Sequence, residues 1–363
     1  KQINKKHRLQ YGIEATHNDV QSNAYETDVV TDEIVNEIVS TRYPDGGSSM
    51  STFALYTRHK WKISDQLILT NGFRFSMVGL KANYIDTSFF SLPYTSTEAN
   101  SAAFTGSLGL VYKPDLATKL GLTLSTGFRS PNIDDAAKVF DPNDEIVVVP
   151  NVDIRPEYAY NAELGIQRRV NNWLKISVDG YYTHLSDLIK RAPFVLNGQD
   201  SLQYDGDFKD VYANINAGKA YIAGFAVSAV ADITQKVSIE KKFNFTEGQD
   251  LSNDVPLGHI PPAFGQFLIR YRGDKMNSSF FVRYNAWKRI EDYSPGSEDK
   301  AEEAIAEGTP TWFTLNYRFN YELSPFLQLN ISVENILDHH YKPFAAGVSA
   351  PGRNLMVGIR SRF

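Results

Sequence analysis

Ten residues at the end of the chain, Asn354 to Phe363, restrict its fold more than any other stretch. Leu355, Val357, Ile359 and Phe363 alternate with Met356, Gly358, Arg360 and Arg362. A period of two is the signature of a strand with one face in an apolar environment and one in water. Left open in water, such a strand is an edge that recruits other strands; closing a barrel removes that edge. A C-terminal strand of a soluble sandwich would show the same ten residues, so the decision falls to the rest of the chain.

The same beat recurs from the start. Leu9, Tyr11, Ile13 and Ala15 alternate with Arg8, Gln10 and Glu14, and a polar excursion of about thirty residues follows. Further alternating runs come in pairs joined by tight polar turns. The turns are Ser64-Asp65-Gln66, Lys113-Pro114-Asp115, Asn171-Asn172, Asp232, Gly273-Asp274 and Ser324-Pro325. Between the pairs lie long polar segments, near 18–48, 79–102, 130–156, 187–217, 247–262, 289–310 and 337–353. About fourteen strands are expected, with short turns at one rim and long loops at the other. That segregation marks a transmembrane β-barrel, and a sandwich gives no reason for it. The fold class read from the pattern is all-β, an antiparallel transmembrane barrel over residues 1–363.

Composition supports this. Aromatic residues make up 13% of the 363 residues, with 22 Phe and 20 Tyr, yet the mean hydropathy is −0.33. A barrel wall combines the two because each lipid-facing residue alternates with a polar one. No apolar run reaches the roughly 18 residues of a membrane helix; the longest, Ala220 to Ile233, is interrupted by Gly224 and Ser228. The absence of cysteine excludes disulfides and thiolate metal sites. A net charge of −5 argues against nucleic acid as a partner. No nucleophile–base pair, phosphate-binding glycine loop or zinc spacing is present, so an enzyme is not expected and neither is a cofactor.

Several motifs at strand ends resemble those of TonB-dependent outer-membrane receptors. Gly127-Phe128-Arg129-Ser130-Pro131-Asn132 resembles one box of that family. Val149-Pro150-Asn151-Val152-Asp153-Ile154-Arg155-Pro156-Glu157 resembles a second, followed by Tyr160-Asn161-Ala162-Glu163-Leu164-Gly165 at the start of a strand. Asn335-Ile336-Leu337-Asp338, Tyr341 and Pro351-Gly352-Arg353-Asn354 are similar to its C-terminal pattern. The resemblance spans the chain. It implies the C-terminal part of a twenty-two-stranded barrel, without the plug and first eight strands. It also implies active uptake of a scarce nutrient, an iron chelate or haem, energised by the TonB complex through the plug. Outer-membrane lipids would surround the wall, and the barrel-assembly machinery would read the terminal Phe363. Phrasing such as Val-Pro-Asn and Pro-Gly-Arg-Asn is similar to receptors of the Bacteroides and Flavobacterium group, which implies a surface lipoprotein partner. The chain opens on Lys1 without Met or a signal peptide and so reads as a processed or cut product. A plugless passive channel is the alternative function.

Within this frame Arg129 and Glu163 fall on the polar phase, and ion pairs between neighbouring strands would brace the wall. On that reading the boxes are architecture. The candidate ligand-binding residues are Arg129, Arg283, Trp287, His339 and His340. Arginines on the lumen phase, including Arg74, Arg270 and Arg272, suit an anionic chelate, and paired imidazoles suit haem iron. By the resemblance, haem receptors carry a histidine between the two boxes, and Asn132 to Val149 contains none. Acidic loops at Asp141, Asp144 and Glu145 and at Asp200, Asp205, Asp207 and Asp210 read as solvated. No metal site is expected there. Phe194 to Tyr204 reads as a surface hairpin around Asn197-Gly198.

Overall fold

The computed structural model describes residues 1–37, 39, 41–86, 95–143, 145–204, 206–295 and 299–362. Asp144, Asp205 and the terminal Phe363 lie outside the described residues. Fourteen long strands form one antiparallel wall. They are β1 (His7–Val20), β2 (Ser48–Lys62), β3 (Leu67–Asn83), β4 (Ser96–Tyr112), β5 (Thr118–Arg129), β6 (Glu157–Val170) and β7 (Leu174–Pro193). The rest are β8 (Asp207–Asp232), β9 (Val237–Asp250), β10 (Phe264–Arg272), β11 (Met276–Asn285), β12 (Trp312–Ser324), β13 (Leu327–Glu334) and β14 (Asn354–Ser361). Each pairs with its neighbour in sequence. Among the described residues β1 pairs only with β2 and β14 only with β13, so the sheet has two free edges.

Register decides which face meets lipid. Ile13, Leu55, Phe75 and Phe104 stand in one row across β1 to β4. On the same face, Leu122 pairs with Leu164 across β5 and β6, and Ile166, Val178, Val227 and Phe243 form a second row across β6 to β9. Ile239, Ile269, Phe280, Tyr317, Val333 and Leu355 form a third across β9 to β14. One whole face of the sheet is therefore apolar, and many of these side chains are exposed, Phe104 by 69% and Ile359 by 71%. In hydrocarbon such exposure costs nothing, and the inter-strand hydrogen bonds hold the wall because no water can replace them there. Among the described residues no helix is long and apolar enough to cross a membrane.

The short turns use the chemistry their sequences offer. Ser64 Oγ accepts from the N–H groups of Gln66 and Leu67, and Asp115 Oδ1 accepts from those of Ala117 and Thr118. Asn171 and Asn172 both take positive φ, 45° and 59°, at the centre of the tight turn in which Trp173 N–H donates to the Val170 carbonyl.

At the other rim the strands run further than hydropathy alternation suggests. β3 continues to Asn83, β4 starts at Ser96, β7 continues to Pro193 and β8 starts at Asp207. Much of 79–102 and 187–217 is thus strand. A backbone ladder does not need an apolar face once the strand has left the bilayer, so hydropathy marks the membrane crossing and not the strand end.

Candidate ligand site on the lumen wall

Both boxes meet in one assembly on the outer rim. Asn132 caps the short helix α1 (Ile133–Ala136) in a reciprocal capping box with Asp135. Arg129 reaches over it, 2.6 Å from Asp135 and 3.4 Å from Glu157. Asp134 pairs with Arg42 at 2.9 Å and Lys138 at 2.8 Å. Burial pushes its carboxyl up, but Lys138 and then Arg42 outweigh burial and hold it below the usual range. Asn151 donates from Nδ2 to the Asn214 carbonyl, and Asn214 Nδ2 donates to that of Asp135.

The β-branched run Ile146–Val149 pairs in parallel with the extension of β8, Val147 beside Val211 and Val149 beside Ala213. These four residues are buried together with Tyr84, Val139 and Tyr204. Burial raises the Tyr84 phenol to about 12 against an opposing contact from Thr97, so it stays a donor, to the Ala137 carbonyl at 2.8 Å. Asn197 and Gly198 take positive φ between Leu196 and Gln199, which forms the tip of a small hairpin.

The C-terminal pattern builds a second assembly. Asn335, with φ of 49°, donates from Nδ2 to the carbonyls of His339 and Pro351 and accepts from His339 N–H. Asp338 Oδ1 accepts from Arg353 N–H at 2.7 Å, and a Cβ on Gly352 would stand 2.7 Å from the same oxygen. A larger residue there would displace the Asp338 carboxylate from its hydrogen bond to Arg353. Arg353 Nε closes the loop on the Ile336 carbonyl. His339 lies between Phe313 and Tyr341, with ring centroids 6.2 and 6.1 Å away. Phe313 belongs to the apolar row of Tyr284, which turns the His339 ring toward the aromatic girdle. His340 is exposed beside it.

On the opposite, lumen-facing phase lies a different arrangement. Phe281 of β11 is buried to 4%, level with Leu268 of β10 and Asn316 of β12. The guanidinium of Arg283 stands 5.4 Å from its ring and that of Arg318 5.1 Å. Arg318 is bound to Glu334 at 2.8 Å, and Asn316 Nδ2 donates to the Phe281 carbonyl and to Thr314. Arg283 forms no ion pair among the described residues. On the same phase Glu240 takes Lys242 at 2.6 Å and Arg270 at 3.8 Å. The strip therefore carries four cations and two carboxylates over an aromatic floor, a surface that attracts an anion.

Of the expected ligand residues, Arg283 alone sits on this strip. Trp287, just beyond β11, donates from Nε1 to the Glu307 carbonyl with Arg289 4.5 Å above its ring. Arg129, His339 and His340 belong to the two rim assemblies, and among the described residues no hydrogen bond, ion pair or ring contact joins them to Arg283. Phe128 stacks in a tilted pair on Tyr158, while Pro131, Pro150 and Pro156 bound the loop that packs on β8. Sequence reasoning missed Phe281 and Arg318. The signal was there, because Phe280-Phe281 breaks the alternation and one of the two must face the lumen.

Comparison with known proteins accounts for the common plan. The chain is 23% identical over 202 residues to hemoglobin-binding protein A of Haemophilus influenzae, covering 52% of this chain and 19% of that protein. It is 21% identical over 365 residues to the iron-regulated outer membrane virulence protein of Vibrio cholerae, covering 98% and 49%. The solved copper transporter OprC superposes with a TM-score of 0.78 at 16% identity, over 99% of this chain and 56% of that one. The chain thus spans about half or less of the length of these relatives. Residues 1–336 match the family described as TonB dependent receptor-like, beta-barrel. With its apolar band, segregated turns and fourteen-strand wall, the chain belongs to that family of outer-membrane receptors, which are not enzymes.

Proposed function

We propose that this wall is part of an active outer-membrane transporter for an anionic iron chelate or haem, energised through TonB. The observation that carries the ligand class is the uncommitted guanidinium of Arg283 over Phe281, in a strip with excess positive charge. The hemoglobin-binding and iron-regulated outer-membrane relatives favour iron as the cargo. The rim assemblies shape the mouth, and the lumen strip receives the ligand. Further strands on the free edges of β1 and β14, and a plug inside, would complete the barrel. A surface lipoprotein above the mouth and the assembly machinery at Phe363 are the other partners we propose.

The test is equilibrium titration of the full-length protein with ferric catecholate, ferric hydroxamate and haemin, repeated for Arg283→Gln. Loss of one charge-assisted contact weakens the preferred anion about tenfold or more. Steady conductance in planar bilayers without TonB, together with no saturable binding, would instead identify a passive channel.

A further inference from the structure

The wall is interrupted at one place inside its most regular region. β4 and β5 pair from Tyr112–Leu120 up to Ser107–Ser125, and there the ladder stops. The same register would continue through Gly106–Thr126, Thr105–Gly127, Phe104–Phe128 and Ala103–Arg129, and none of these rungs forms. Both strands continue: β4 stays paired with β3 up to Ser96, and β5 with β6 up to Arg129. The Thr126 hydroxyl takes the place of the missing backbone partner, accepting from Gly106 N–H at 2.8 Å. Above the gap the strands touch again through Ser101 Oγ and Ser130 Oγ at 2.8 Å. The seam is therefore a slot about 13 Å tall at roughly 3.3 Å per residue, closed at both ends and flanked by intact ladders.

Each face of the slot opens into a cavity. On the lipid side a cavity of ≈ 580 Å³ is walled by Phe73, Leu108, Leu124, Tyr160 and Tyr182. On the lumen side a cavity of ≈ 300 Å³ is lined by Tyr56, Arg58, Arg74 and Thr105. Both are within the range of small-ligand sites. The two share Phe73, Gly106, Ser107, Ser125 and Thr126, which surround the lower end of the slot at its last intact rung. Arg74 is paired with Glu14 at 3.1 Å, whereas Arg58 makes no ion pair or side-chain hydrogen bond among the described residues. An apolar groove on the lipid side and a cationic pocket on the lumen side thus lie back to back at the lower end of the gap in the wall.

We infer that this seam binds an anionic single-chain amphiphile of the fatty-acid type, with its chain in the groove and its carboxylate toward Arg58. The two halves of the site match the two halves of such a molecule, one acyl chain to one groove. The inference needs only the position of the wall in a membrane and is independent of the transport reading. Gly106 provides a clean block, because a Cβ there meets nothing closer than 3.5 Å and has no strained backbone to relieve.

The experiment uses full-length protein in zwitterionic nanodiscs, with doxyl-labelled stearate and its methyl ester as spin probes. Stearate should show an immobilised component that palmitate displaces and that exceeds the component seen with the ester. Gly106→Leu should abolish it, and Arg58→Gln should weaken stearate about tenfold while leaving the ester unchanged. Heat-modifiable electrophoretic mobility checks that each variant is folded, and Ala162→Leu blocks the same groove if Gly106→Leu does not fold. Equal immobilisation of acid and ester, or full binding in a folded blocked variant, would reduce the signal to annular lipid contact and overturn the inference.

Discussion

Arg129 and Arg283 look alike in the sequence, each an arginine on the polar phase of a strand near its outer end, but the structure uses them differently. Arg129 is held by two carboxylates, Asp135 at 9% and Glu157 at 15% side-chain exposure, over a capped helix and next to a dry cluster of valines. Arg283 has an aromatic ring beneath it and, among the described residues, no ion pair. The difference teaches that a motif arginine at the rim can be fully occupied by architecture, while a less conspicuous one on the wall is left with binding capacity. A fully paired guanidinium would have to break an ion pair before it could hold a ligand; an uncommitted one would not.

The sharpest way to break the comparison is to dismantle the rim assembly and leave the wall intact. Val149→Asp places a charge at a position 2% exposed and should destabilise that assembly by more than about 4 kcal/mol. Limited proteolysis of the membrane-inserted protein should then cut within 130–156, with heat-modifiable mobility unchanged. Asn335→Ala removes three loop hydrogen bonds and should loosen the second assembly by roughly 2–3 kcal/mol, read as cleavage confined to 337–353. Arg129→Gln leaves Asp135 and Glu157 facing each other without a cation. A cost of about 1–2 kcal/mol is expected for this half-exposed arginine, and Asp135→Asn in the same chain should recover part of it.

Acid should loosen the rim assembly. The Asp134 carboxyl lies below its ordinary range in the folded assembly, so its contribution is present above the unfolded value of about 3.9 and is lost as pH falls through the folded one. Protease sensitivity at 130–156 should therefore rise on acidification below about pH 4, and Asp134→Asn should flatten that profile. Arg283→Gln should have the smallest effect on stability, within about 0.5 kcal/mol, while reducing anion binding. If Arg129→Gln weakened the ligand and Arg283→Gln did not, the assignment of the two arginines would be reversed.

Some of the site could be read in the chain and some could not. Arg283 was legible because strict alternation places it opposite Val282 and Tyr284. Its partner Arg318 comes from another strand 35 residues away and becomes a partner only through the register of Ser279 with Arg318. Asn335 and Gly352 were visible as motif letters. Their role was not, because it depends on a positive φ at Asn335 and on one carboxylate oxygen, bound to the Arg353 N–H, that a Cβ at Gly352 would push aside. The break between β4 and β5 has no counterpart in hydropathy, since Phe104 and Leu124 keep the alternation on both sides of it.

By itself the sequence determined the wall. Period-two alternation with short turns on one side can satisfy lipid, water and the backbone together only as an antiparallel membrane sheet. Fourteen such runs appear as fourteen strands because each crossing obeys the same local rule. Tertiary structure decided how far each strand continues beyond the bilayer, which loops fold onto one another, and which arginines remain uncommitted. Those outcomes depend on which residues register brings together across strands, and that is a property of pairs far apart in the chain rather than of any single stretch.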